Sequence, residues 1–261
     1  MKQNWGFKLW QVLYPVGIYY VVSSLCYFGL AMIMGEATET YMQRQLTCAA
    51  VTIPFIYSFY RQDKMAKQAV YGKQEFHPDK QQIFNILLSV VAAAALGMAV
   101  NNVLAMTPLM QQSAGFQSAN EAFFGGSIAF ELLGSCLMIP IAEELLFRGV
   151  VYGRLKLYIG GRAALIGSAL LFGIFHVNLV QFLYAALLGL LLAVLVEWTG
   201  YLYPAILGHI AANMAAVVRA HTDLFRVSSS LSVPGVAVTL VLALLGAGAV
   251  FLLWKNNSDT I

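Results

Sequence analysis

Two adjacent carboxylates and an arginine stand in an apolar run, Ile139-Pro140-Ile141-Ala142-Glu143-Glu144-Leu145-Leu146-Phe147-Arg148-Gly149. Ionisable groups in such a setting are costly and mark a functional site by default. Successive helical residues are about 100° apart, so Glu143 and Glu144 face different ways. Arg148 follows Glu144 by four residues, the spacing and order of an acid-to-base helix pair. Glu143 is left without a local partner, and an unpaired carboxylate among apolar groups suits general-base work. Pro140 lies just upstream. It removes one helix hydrogen bond, leaves the carbonyl of Cys136 without its usual donor, and predicts a bend.

Partners for Glu143 are sought among the four histidines. His77 and His221 fall in polar stretches and read as solvated. His176 and His209 fall in apolar ones. Phe172 and His176 are four apart, as are His209 and Asn213, so each pair shares a helix face. Gly208 and Ala212 are small residues at the spacing that lets helices approach closely. Two chemistries follow. In one, Glu143 and His176 activate a water while His209 and Asn213 donate hydrogen bonds to a developing oxyanion. In the other, Glu143, His176 and His209 bind a divalent metal such as zinc as a two-His-one-carboxylate set. Both are hydrolysis in a membrane-embedded cavity. Each piece also has a plainer reading: Arg148 snorkelling at a helix end, histidines and Asn213 as interhelical glue, Phe172 as packing.

The elements that must position these residues are transmembrane helices. Of 261 residues, 60% are hydrophobic and 10% are charged, where a soluble domain carries about 25%. The net charge of +3 is small, and its distribution follows membrane topology rather than nucleic-acid binding. Cys26, Cys48 and Cys136, an odd count, lie in or beside apolar runs without close spacing, which argues against a disulfide framework or a CxxC metal site and reads as small buried hydrophobes. The predicted architecture is all-α: a polytopic membrane bundle of about eight helices, forming one domain over 1–261.

The spans are expected at about Leu9–Met34, Leu46–Tyr60, Ile83–Met106, Ile128 onward, Ala163–Val177, Leu179–Trp198, Ala205–Val218 and Val233–Trp254. The first is too long for a signal-peptide core and reads as retained. Arg61–Lys80 and Arg154–Arg162 are basic and read as cytoplasmic, which with an even span count puts both termini in the cytoplasm. A role for Arg61–Lys80 in recruiting anionic lipid or substrate is the weaker alternative to that topology signal. Thr107–Gly126 has no Lys or Arg and reads as an external loop. Arg219 and Arg226 would then lie outside, against the positive-inside trend. Glu197 reads as interfacial beside Trp198 and Tyr201. Glu131, Asn101 and Asn102 read as cavity or interface residues. Glu143 and His176 are each roughly 20 Å from the basic turn by helical rise, hence at similar depth. His209 comes out shallower unless its helix begins inside the membrane.

The three pieces, Glu143-Glu144…Arg148, Phe172…His176 and His209…Asn213, resemble in order the motifs of the CPBP family of intramembrane proteases, which includes CAAX prenyl endopeptidases and bacteriocin-processing or self-immunity proteins. The resemblance covers about 128–218, the expected catalytic core helices, while the first three spans carry no recognisable motif. It implies glutamate-dependent proteolysis of a membrane-associated protein or peptide at the cell membrane. Glu143 would be the base, His176 would help hold the water, and His209 and Asn213 would form the oxyanion site. Glu144, Arg148 and Phe172 would support them. Two other functions compete: a non-proteolytic binding or immunity protein on the same fold, and a transporter with a Glu/His proton path. The chain lacks the paired inverted halves that a transporter would show.

Overall fold

The computed structural model describes residues 4–72, 79–223 and 227–257. His77 and Arg226 lie outside them. The described residues form helices and no strand. They are α1 (Trp5–Met34), α2 (Tyr41–Tyr71), α3 (Lys80–Ala105), α4 (Pro108–Gln112), α5 (Ala114–Phe124), α6 (Ile128–Ile159), α7 (Gly161–Ile174), α8 (Leu179–Thr199), α9 (Tyr203–His221) and α10 (Val233–Asn257).

All eight expected spans contain a helix, but the fifth ends at Ile174, leaving His176 and Val177 past its end, and eight is not the number that length and composition support. Four described helices, α1, α3, α8 and α10, are long and apolar enough to cross a membrane. A fifth counts if α5 and α6, bent by 110° at their junction, form one span. The others fall short for visible reasons. At 14 residues α7 is shorter than the roughly 20 a bilayer needs. Polar and charged residues extend α2 at both ends, from Gln43 and Arg44 to Arg61, Asp63, Lys64 and Lys67. The chain is a multi-pass helical membrane protein.

Two stretches expected as loops are helical. Arg61–Tyr71 continues α2. The expected external loop contains α4, begun by Pro108, and α5, whose first turn is capped by Ser113 Oγ accepting from Phe116 N at 3.2 Å. Apolar rings hold α5 down: Phe123 lies 5.8 Å from the Tyr41 ring and Phe124 6.2 Å from that of His221. The expected turn at Gly160 is present. Its φ of 82° ends the α6 helix and starts α7, a conformation that only glycine adopts without strain. Only 175–178 separate α7 from α8, with Asn178 capping Gln181 N at 2.9 Å.

Polar contacts set the helix directions. Arg154 of α6 binds Asp63 of α2 at 2.8 Å and the Gln11 carbonyl of α1 at 2.6 Å. Lys156 binds Glu197 of α8 at 2.5 Å, and Tyr152 also bonds that carboxylate. Asn85 of α3 meets Asn257 of α10, while Asn102 donates to Thr239 at 3.2 Å. Thus α10 runs antiparallel to α3, and the start of α1 and the end of α10 lie at the same end of the bundle. Asn102 is fully buried and takes Arg219 Nη1 at 2.6 Å. Arg219 is therefore part of α9 and clamps it to α3, rather than lying in an outer loop. Cys48 and Cys136 are buried, Cys26 is partly so, and all three are free.

Candidate active site

The site is built on α6, whose hydrogen-bond ladder contains two π-helical runs. Leu132–Met138 and Leu145–Tyr152 are π-helical, and Ile139–Glu144 between them is α-helical. Pro140 ends the first π-helical run, and α6 continues through it as one helix. Ile139 N–H bonds Gly134 O, five residues back. One residue further, that register would need a proton on the Pro140 nitrogen, which has none. Ser135 O therefore loses its α-type donor, Ile139, to Gly134 and its π-type donor to proline. Beside the expected Cys136 O, whose usual donor would be Pro140, the change of register strands Ser135 O. Ser135 is buried, and an unpaired buried carbonyl costs about 1–3 kcal/mol. Asn213 Nδ2 of α9 donates to it at 2.7 Å.

Glu144 and Arg148 form the expected pair at 2.8 Å, both side chains fully buried. Arg148 also donates from Nη2 to Gly189 O of α8 at 2.9 Å and lies 4.4 Å over the Phe172 ring. A Cβ at Gly189 would sit 2.8 Å from Arg148 Nη2 and 2.9 Å from Phe172. Only glycine leaves room for both.

His209 reaches both carboxylates. Its Nδ1 is 2.9 Å from Glu144 Oε1 and its Nε2 3.8 Å from Glu143 Oε2. The α9 helix runs antiparallel to α6, so His209 is level with Glu143 and not shallower. It lies one turn and a half into a helix that starts after the Gly200–Leu202 link. The small residues expected to permit close helix approach do so against α3: a Cβ on Gly208 would sit 3.1 Å from Ala93. Glu144 Oε1 already accepts from Arg148, so the facing Nδ1 of His209 carries the proton and Nε2 points to Glu143. Glu143 is the more open carboxylate, with 17% of its side chain exposed against none for Glu144.

His176 owes its orientation to the end of α7. Its backbone N–H turns to Gly173 O at 2.9 Å, leaving Phe172 O without its normal donor. The imidazole of the same residue replaces it, with Nδ1 2.9 Å from Phe172 O. A carbonyl only accepts, so Nδ1 carries the proton and Nε2 presents a lone pair. The Phe172 ring stands 4.8 Å from His176 and 5.8 Å from His209. Phe147 packs on it at 5.0 Å.

Three of the expected site residues, Glu143, Glu144 and His209, are thus in mutual reach, with Arg148 behind and Phe172 between the imidazoles and the guanidinium. Among the described residues no ion pair joins His176 to a carboxylate, and Asn213 sits on the backbone of α6. None of the described His, Cys, Asp or Glu side chains form a group of three or more that could hold a metal. The Glu143–His176–His209 set does not fit a zinc site as folded.

Four contributors escaped the sequence reading. Gly189 stood as a lone glycine in a leucine run, itself a sign of close approach. Ser135 contributes through its carbonyl, which no side-chain pattern reveals. Tyr19 and Tyr20, a tyrosine pair inside the first apolar run, pack α1 against the cluster of Ala142, Phe147 and Phe172 around the carboxylates. Tyr20 stacks on Phe175 at 4.5 Å. At the far end of the α6–α9 contact, His221 is paired, not free in a loop. Its Nε2 lies 2.6 Å from Oε2 of the fully buried Glu131.

Residues 125–215 match the family model described as Rce1-like, type II CAAX prenyl endopeptidase Rce1-like. No curated protein and no solved structure matches the chain. The matched segment holds all seven residues of the three motifs. Over residues 125–215 the chain is thus similar to that family model, and the three motifs fall within the matched stretch.

Proposed function

We propose that this protein is an intramembrane endopeptidase that hydrolyses a peptide bond in a membrane-associated protein or peptide, with Glu143 as general base. The observation that carries this reading is the contrast between the two carboxylates. Glu144 is enclosed and occupied by Arg148 and His209, while Glu143, next in sequence, stays partly open with an imidazole nitrogen 3.8 Å away. The family match supplies the reaction class.

In the proposed reaction Glu143 takes a proton from a water, and the water oxygen attacks the carbonyl carbon of the scissile bond. The Nε2 lone pair of His176 accepts the water's other hydrogen and helps aim it. His209, held on Glu144 through Nδ1, stabilises the carbonyl oxygen from its Nε2 side as charge develops there. Glu143 then returns its proton to the leaving nitrogen and the C–N bond breaks. Arg148 and Glu144 touch no substrate. They orient His209, as a buried carboxylate orients the histidine of a serine-protease triad.

The test is a cleavage assay with purified protein in detergent or liposomes. The substrates are a pool of membrane peptides and, separately, a prenylated CAAX peptide, read by mass spectrometry. Cleavage by wild type that vanishes in a well-folded Glu143→Gln variant is the expected result. A biological effect that survives Glu143→Gln would overturn it in favour of a non-proteolytic binding or immunity role.

A further inference from the structure

We infer that Asn213 is a positioning residue of α6: it replaces the backbone proton that Pro140 lacks. The inference deepens the peptidase reading in its catalytic consequence, while its structural part stands without it.

Three observations carry it. First, the π-helical run ends where the chain loses an N–H: Ile139 N–H goes to Gly134 O, and the next nitrogen is that of Pro140. Second, the carbonyl stranded by that change, Ser135 O, is buried and receives Asn213 Nδ2 at 2.7 Å. Third, the short α-helical segment that follows holds both Glu143 and Glu144. Its register decides which carboxylate turns inward to Arg148 and which faces His209 Nε2. A slip in that register rotates both carboxylates by about 100° per residue. Pro140 thus sets the register and Asn213 holds it by filling the hydrogen bond that Pro140 removes. His209 and Asn213, one turn apart on α9, grip α6 at two points, one on a side chain and one on the backbone.

The test is a double-mutant cycle of Asn213→Ala and Pro140→Ala in the full-length protein, read by thermal unfolding in detergent and by kcat and KM. In the Pro140 background Asn213→Ala is expected to lower Tm by about 2–4 °C and kcat by about 10²-fold, with KM little changed. In the Pro140→Ala background the restored backbone N–H makes Asn213 dispensable, so both losses shrink to near zero. Equal fold-losses in kcat in both backgrounds, with no coupling in Tm, would overturn the inference and return Asn213 to the oxyanion. The Tm cycle needs no substrate, so an absence of cleavage by every variant would count against the peptidase reading alone.

If Pro140→Ala does not fold, Asn213→Asp asks the same question. A carboxylate facing Ser135 O is expected to lower Tm at neutral pH, and Tm is expected to recover at acid pH once the carboxyl is protonated and donates again. A Tm difference from wild type that does not change with pH would overturn the inference.

Discussion

The imidazole of His209 meets the buried carboxylate of Glu144 at 2.9 Å through Nδ1, which turns its Nε2 toward Glu143. Two neighbouring glutamates therefore hold different positions around one histidine. One orients the ring and the other stands open beside its second nitrogen. Glu144→Gln keeps the size and removes the charge that fixes the Nδ1 proton. Its kcat is expected to fall on the order of 10³–10⁴-fold, as when the orienting carboxylate of a triad is neutralised. KM is expected to stay near wild type. Single-turnover and steady-state cleavage, with circular dichroism to check folding, measure this.

Arg148→Met leaves Glu144 buried with its main counter-charge gone. Breaking one half of a buried pair costs about 3–5 kcal/mol. This variant should therefore unfold at markedly lower temperature in detergent. Glu143→Gln, at a partly open carboxylate, should melt within a degree or two of wild type while losing cleavage. Scanning fluorimetry on the two variants side by side separates the supporting charge from the reacting one.

Gly189→Ala is a test of packing. The new methyl would press on Arg148 Nη2 and on Phe172 at under 3 Å, and overpacking costs about 1–3 kcal/mol. Because both displaced groups support the imidazoles, cleavage should fall further than stability does. Comparing the kcat/KM ratio with the shift in unfolding midpoint reads that difference. An alanine at Gly17 of α1, where nothing lies within 4 Å of the added Cβ, is the matched control.

The orientation of the bundle is open to chemical labelling. Lys64 near the end of α2 and Gln117 of α5 are both exposed and lie toward opposite ends of the helices. In a cysteine-free background, Gln117→Cys should react with a membrane-impermeant maleimide in intact cells. Lys64→Cys should react only after permeabilisation, as the positive-inside rule requires.

Much of this molecule was determined by its sequence alone. Apolar run lengths and basic clusters located every long helix, because a bilayer demands long uninterrupted apolar segments, though α2 runs eleven residues past its expected end. The Glu144–Arg148 pair followed from helical spacing, which is local. The number of spans did not follow, since α7 is short and α2 is diluted by charge at its ends. Nor did α4, or α5, whose Phe123 and Phe124 rest against Tyr41 and His221.

What only the tertiary structure decided is which groups meet across helices. Helical spacing ranks residues by face but leaves the register between helices free. The level of His209 with Glu143, the pairing of His221 with Glu131 and the clamp of Arg219 on Asn102 all came from the antiparallel or parallel setting of α9 against its neighbours. The place of Asn213 is the clearest case. Its partner is a main-chain carbonyl, stranded by a register change that Pro140 terminates. A backbone vacancy of that kind has no side-chain signature. It exists only once the ladder has formed and a second helix lies close enough to fill it.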